Sequence, residues 1–157
     1  EKILASLESK GIRVVVDATK DLLLNVLKYH PFLIKPNNHE LGEMFGTVCK
    51  TDEDIVHYAK KLQEKGAVNV LISMAGDGAI LITEDGQNIK MGTPKGKVVN
   101  SVGAGDSMVA GFITGYIRGG NYEEALKSGT AAGSATAFSE GLASLEMYEK
   151  MLKQITE

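Results

Sequence analysis

The chain has 157 residues, 43% of them hydrophobic and 24% charged, which supports a globular domain with an apolar core and excludes a disordered segment. Its formal net charge of −3 gives no basic field for nucleic acid or an anionic membrane, so a small molecule gripped by local geometry is the expected partner. No apolar run is as long as a bilayer span, and Cys49, the single cysteine, excludes an internal disulfide and suits a reducing cytoplasm.

Ile3, Leu4 and Leu7 repeat at helical spacing and predict a helix to about Lys10. There is no initiator Met and no signal-peptide core, so a truncated or excised chain is expected. The β-branched run Arg13–Val16 predicts a buried strand leading into Asp17-Ala18-Thr19. An amphipathic helix carrying Leu22, Leu23, Val26 and Leu27 follows, then a strand over Phe32–Lys35. Helices near Leu41–Phe45 and Asp52–Lys65 precede the strand Val70–Ser73, whose continuous apolar character suits a covered parallel sheet. Ala79–Thr83 and Asn88–Met91 flank Glu84–Gln87 as a hairpin. From Ala104 onward the pattern is helical, over Ala104–Arg118, Asn121–Phe138 and Leu145–Ile155, with breaks at Gly119-Gly120 and Gly141. No repeat, low-complexity tract or linker divides this α/β chain, so residues 1–157 read as a single domain portion.

The segment Val98–Phe112 carries the most chemistry. A β-type run breaks into Gly103-Ala104-Gly105, which opens a helix. Glycines let a ligand approach the backbone, and the free amides and dipole at a helix start favour phosphate oxygens. Asp106 then falls in the first helical turn, where it can accept a proton. Met108 stands where a dinucleotide fingerprint needs its third glycine, and no GxxxxGK[ST] string occurs. Spacing alone leaves a tight turn with a dipole-favoured Asp as an equal reading.

The string Asn100–Phe112 closely resembles the second signature of the ribokinase-like (PfkB) carbohydrate kinases, and together with Lys35-Pro36-Asn37 it is most similar to their phosphosugar branch of 1-phosphofructokinases and tagatose-6-phosphate kinases. The resemblance covers nearly the whole chain, as the C-terminal half of such an enzyme. It implies a ribokinase-like three-layer α/β/α fold with a mostly parallel sheet, truncated at the N-terminus and lacking the sugar-binding and lid part. It further implies a cytoplasmic kinase that uses ATP and Mg²⁺ on a phosphorylated sugar, with no nucleic acid or membrane partner. The expected reaction converts fructose 1-phosphate to fructose 1,6-bisphosphate. Asp106 would be the base, and the backbone of Gly103, Ala104 and Gly105 would hold the transferring phosphoryl group. A homodimer built through the missing lid is compatible with it. The fragment alone is expected to be inactive.

Other residues carry two readings each. Asn37 and Glu40 form a capping box in sequence. They also resemble the family's NxxE motif, which shapes the magnesium and phosphate environment, with Glu40 reaching Mg²⁺ partly through water. Lys35 either adds charge near phosphates or is simply solvated. Ser73, Ala75, Gly76, Asp77 and Gly78 follow a strand, as a glycine turn or, by resemblance, as a lining for the ATP phosphates and ribose. Asp17 ends a strand, facing the same cleft or capping the next helix. The small run Gly129–Ala135 packs a helix or a flat ring, and by resemblance Thr130 borders adenine. His30, His39 and His57 show no metal spacing and read as structural or solvated. Asn100 and Ser101 stand where many relatives have Asp and Thr, which puts a monovalent-cation site in doubt. Two rivals remain: a noncatalytic nucleotide-binding module, and an unrelated α/β domain with an accidental GAGD string.

Overall fold

The alternation of β-branched and amphipathic segments becomes a sheet with connecting helices in the computed structural model of the chain, which describes residues 2–7, 10–18 and 20–156. The chain divides into two compact units, one of Glu1–Met74 with Ile80–Ile89, the other of Ala75–Ala79 with Lys90–Glu157.

The chain begins with α1 (Lys2–Leu7), β1 (Val15–Val16), α2 (Lys20–Val26), β2 (Leu33–Ile34), α3 (Asn38–Met44), α4 (Asp52–Glu64) and β3 (Asn69–Ser73). A hairpin of β4 (Ala79–Ile82) and β5 (Asn88–Met91) completes a sheet of order β1-β2-β3-β4-β5. β1, β2 and β3 run parallel, with Val15 opposite Leu33 and Leu33 opposite Asn69. The strand expected over Arg13–Val16 shrinks to two residues, and these are half-buried rather than buried, because β1 lies at the edge of the sheet. The expected continuation of α1 toward Lys10 runs through residues outside those described, as does Thr19.

Burial follows the apolar runs. Ile34, Val70, Ile72, Ile80 and Ile82 from the strands pack with Leu23, Leu27, Leu41, Ile55 and Leu62 from the helices. Each such side chain stabilises the fold by about 1.5–3 kcal/mol of transfer free energy. Helix α4 forms because Ile55, Ala59 and Leu62 share one face and Thr51 caps its start. Asp54 closes that capping box, and the N–H groups of Lys50 and Thr51 that it accepts hold its carboxyl below the ordinary value. Asn69, fully buried, donates to Phe32 O at 2.9 Å and accepts from Glu84 N at 2.9 Å, tying β2 to the hairpin turn.

The second unit is built on α5 (Ala104–Gly119), α6 (Tyr122–Ala137) and α7 (Leu145–Thr156). Helices α5 and α6 touch through their backbones. A Cβ on Gly111 would lie 2.6 Å from Ser128 O and 2.7 Å from Ala132 Cβ, and one on Gly129 would lie 2.9 Å from Met108 O. Helix α7 covers another face of α6, where Ala131, Ala135 and Met151 are buried together and Tyr148 Oη lies 3.0 Å from Ser128 Oγ. The run Val98-Val99 expected to be β-type forms no strand. The N–H groups of Val99 and Asn100 both donate to Ala137 O, at 2.8 and 3.2 Å, because the last carbonyls of α6 lack intrahelical donors. Among the described residues no helix is long and apolar enough to cross a membrane.

The helix contact yields a test. Gly111→Ala should destabilise the chain by about 1–3 kcal/mol, the range for overpacking a close contact. Gly141→Ala, with nothing within 4 Å, should leave the thermal midpoint followed by circular dichroism nearly unchanged.

Candidate active site

In the first unit the singled-out residues collect at the carboxyl ends of the parallel strands, the edge at which open α/β sheets bind ligands. Asp17 follows β1, Lys35 follows β2, and Ser73 ends β3. Lys35 is 8% exposed, and its Nζ lies 3.4 Å from Asp17 Oδ2. The solvated lysine is therefore not realised: the two side chains pair. Burying an ammonium group this far requires such a partner.

Asn37 and Glu40 form the full reciprocal box. Asn37 Oδ1 accepts from Glu40 N at 2.8 Å, and Glu40 Oε2 accepts from Asn37 N at 2.9 Å. Asn37 also bridges to Ser73 in parallel register, with Ser73 N donating to Pro36 O at 3.2 Å. No three His, Cys, Asp or Glu side chains among the described residues gather as a metal site. Glu40 still has Oε1 to offer, which fits an ion such as Mg²⁺ that takes most of its ligands from phosphates and water.

The remaining residues lie in the second unit. Ala75, Gly76 and Asp77 form an exposed turn of 3₁₀ helix, in which Ala75 takes a left-handed φ of 49°. That conformation costs a non-glycine residue about 1 kcal/mol or more. Gly78 closes the turn, with its N–H on Ala75 O at 3.2 Å. No other residue fits there, since a Cβ would meet Met91 O at 2.0 Å. Thr93 Oγ1 holds the turn by donating to Gly76 O at 2.8 Å.

Gly103 adopts φ 80° as the N-cap of the 16-residue helix α5, a backbone that an L side chain would strain. Ala104 N donates back to Ser101 O at 3.2 Å, while helix geometry leaves the N–H groups of Gly105 and Asp106 without intrahelical acceptors. Asp106 is exposed in the first turn, beside those donors. The loop thus presents amide donors and a carboxylate at the positive end of a helix dipole. Asn100 braces its approach: Oδ1 accepts from Val102 N and Nδ2 donates to Glu140 O, both at 3.0 Å.

A family profile described as pfkB family carbohydrate kinase matches residues 1–147. The chain belongs to that family. It is 49% identical over 155 residues to a 1-phosphofructokinase of Bacillus subtilis (strain 168), covering 99% of this chain and 51% of that one. A D-tagatose-1-phosphate kinase of Bacillus licheniformis is 40% identical, over 92% of this chain and 47% of its own. A crystal structure of a candidate phosphofructokinase from Staphylococcus aureus superposes with a TM-score of 0.93 at 45% identity, covering 98% of this chain and 50% of that one. The chain spans about half the length of the curated relatives it matches.

Membership in the pfkB family makes the α/β, mostly parallel sheet the ribokinase-like one that the GAGD string implied. Thr130 is fully buried inside α6, and its Oγ1 has no hydrogen-bond partner among the described residues. The small face of α6 is occupied by α5. Sequence reasoning missed Thr136 and Ser107, whose hydroxyls meet at 2.8 Å across 29 positions, a contact no local spacing signals.

The buried pair is open to measurement. Asp17→Asn removes the countercharge and should cost about 1–3 kcal/mol, less than the roughly 3–5 of a fully buried pair because Asp17 stays partly in water. Asp77→Asn, in the exposed turn, should shift the urea midpoint little.

Proposed function

We propose that this chain is the ATP-binding and catalytic portion of a phosphosugar kinase that transfers the γ-phosphoryl group of ATP to the 6-hydroxyl of fructose 1-phosphate. The observation that carries the reading is the left-handed Gly103 opening α5, with free amides and the exposed Asp106 in its first turn, in a chain of the pfkB family. Two of the relatives it matches are named for 1-phosphorylated ketohexoses, which favours fructose 1-phosphate or its tagatose counterpart over the tagatose 6-phosphate also considered.

In this mechanism Asp106 accepts the proton of the attacking hydroxyl. Amides of the Gly103–Gly105 loop donate to the oxygens of the phosphoryl group as its charge spreads. In a loose transition state the proton moves late, so a carboxylate can serve as the base. Mg²⁺, when bound, neutralises phosphate charge. Glu40 would hold that ion with Oε1, directly or through water, while Asn37 keeps the carboxylate oriented. Lys35 supplies positive charge at the strand ends, and the Ser73–Gly78 turn lines the nucleotide phosphates and ribose. The sugar contacts and any dimer-forming lid belong to sequence outside this chain, and the cytoplasm is the setting that suits the free Cys49.

Joining this chain behind the N-terminal half of the B. subtilis relative gives the experiment. The fusion should phosphorylate fructose 1-phosphate in the presence of Mg²⁺, and Asp106→Asn should lower kcat by about 10²–10⁴-fold with ATP binding retained. The 157-residue chain alone should bind ATP at best weakly and turn over no sugar, since an acceptor must be held in line for transfer. Normal kcat in Asp106→Asn, or a fusion that binds ATP but ignores every ketohexose 1-phosphate, rejects the proposal.

A second measurement concerns monovalent cations. The Asn100 amide donates to the Glu140 carbonyl, a bond that a carboxylate cannot make. Exchanging K⁺ for tetramethylammonium at fixed ionic strength should therefore leave the fusion's turnover nearly unchanged, and many-fold activation by K⁺ would overturn this.

A further inference from the structure

Helix α5 starts without the usual support, because its N-cap is Gly103 and no side chain caps it. Uncapped first turns fray, yet this turn carries Asp106. The missing restraint comes from residues 136–143, the end of α6 and the segment after it. Ala137 O accepts from Val99 and Asn100, Glu140 O accepts from Asn100 Nδ2, and Leu142 Cδ2 lies 3.4 Å from where a Gly103 Cβ would stand. At the centre is Thr136, 1% exposed. Its hydroxyl donates to Ser107 Oγ at 2.8 Å and accepts from Ala143 N at 3.4 Å. A helical threonine commonly returns its hydroxyl to its own preceding turn. Thr136 instead reaches across to the residue that follows Asp106.

We infer that Thr136 is a positioning residue for phosphoryl transfer: its buried hydroxyl ties the first turn of α5 to the segment after α6 and so sets the direction of the Asp106 carboxylate. Its consequence for catalysis rests on the kinase reading, whereas the tie itself does not. A valine at this position keeps the shape of the side chain but leaves Ser107 Oγ and Ala143 N without this partner. A serine keeps the hydroxyl and loses only the methyl group.

Amide hydrogen exchange on the 157-residue chain reads the tie without any activity. Thr136→Val should speed exchange of the hydrogen-bonded amides of Ala104 and Ser107 by roughly 3- to 10-fold, the loss of one net hydrogen bond. Thr136→Ser should exchange like the unaltered chain. In the fusion, Thr136→Val should lower kcat by about 10-fold or more with KM for ATP changed little, as expected for misplaced rather than missing chemistry, and Thr136→Ser should restore it. If Thr136→Val does not fold, Ser107→Ala removes the other end of the bond and should give the same pattern. Unchanged exchange in the valine variant, a serine variant as impaired as valine, or faster exchange with full kcat each overturns the inference. A fusion inactive in every form rejects the kinase reading, while the exchange data still decide the tie.

Discussion

Four glycines at the contact of α5 and α6 have no room for a side chain of their own, and the geometry of the second unit follows from that exclusion. With Gly111, Gly115, Gly129 and Gly133 at the crossing, the two helices meet backbone to backbone, and any sliding drives a main-chain atom into its neighbour. Well-packed interfaces of this kind resist continuous deformation, because small displacements meet steep repulsion. The glycine loop sits at the start of one of these helices, and its brace, residues 136–143, at the end of the other. Fixing the crossing therefore fixes the distance across which Thr136 meets Ser107. Apolar contact sets the position of the loop coarsely, and a few directional hydrogen bonds complete it.

In the first unit the corresponding constraint is electrostatic. Parallel strands expose their last carbonyls and the residues after them at one edge, and here the edge holds a lysine that water barely reaches. Asp17 is what makes that burial tolerable. The pair keeps a positive charge at the strand ends without leaving it uncompensated, and it couples β1, an edge strand of two residues, to β2 more firmly than its short ladder alone would.

Much of this was legible in the sequence because it is local. The periodicity of Ile55, Ala59 and Leu62, the Asn37–Glu40 spacing, the hairpin around Gly86 and the GAGD string are patterns within a few residues of one another, and all take the expected form. The failures have one cause in common, tertiary partners distant in sequence. Val98 and Val99 have β propensity, but the carbonyl of Ala137 captured the backbone first. For Lys35 spacing left a solvated reading open, because its partner Asp17 lies 18 positions earlier at a different strand end. The family resemblance chose between an idle turn and a phosphate cradle, a choice that spacing left open, and the matched profile shows the family itself over residues 1–147.

The Asn37–Glu40 box is joined to Ser73 by the parallel bridge, and this makes the first turn of α3 and the ends of β2 and β3 one mechanical piece. Glu40 consequently does not search among rotamers when a ligand arrives. One of its oxygens is committed to the helix start and the other has its direction set by that commitment. The ordering entropy that a flexible carboxylate would lose on binding has already been lost during folding, so the residue would meet the proposed ion preorganised. The same commitment ties occupancy to structure. Any ligand that pulls Glu40 off Asn37 must uncap α3, and any ligand that leaves the box intact holds α3 folded by mass action.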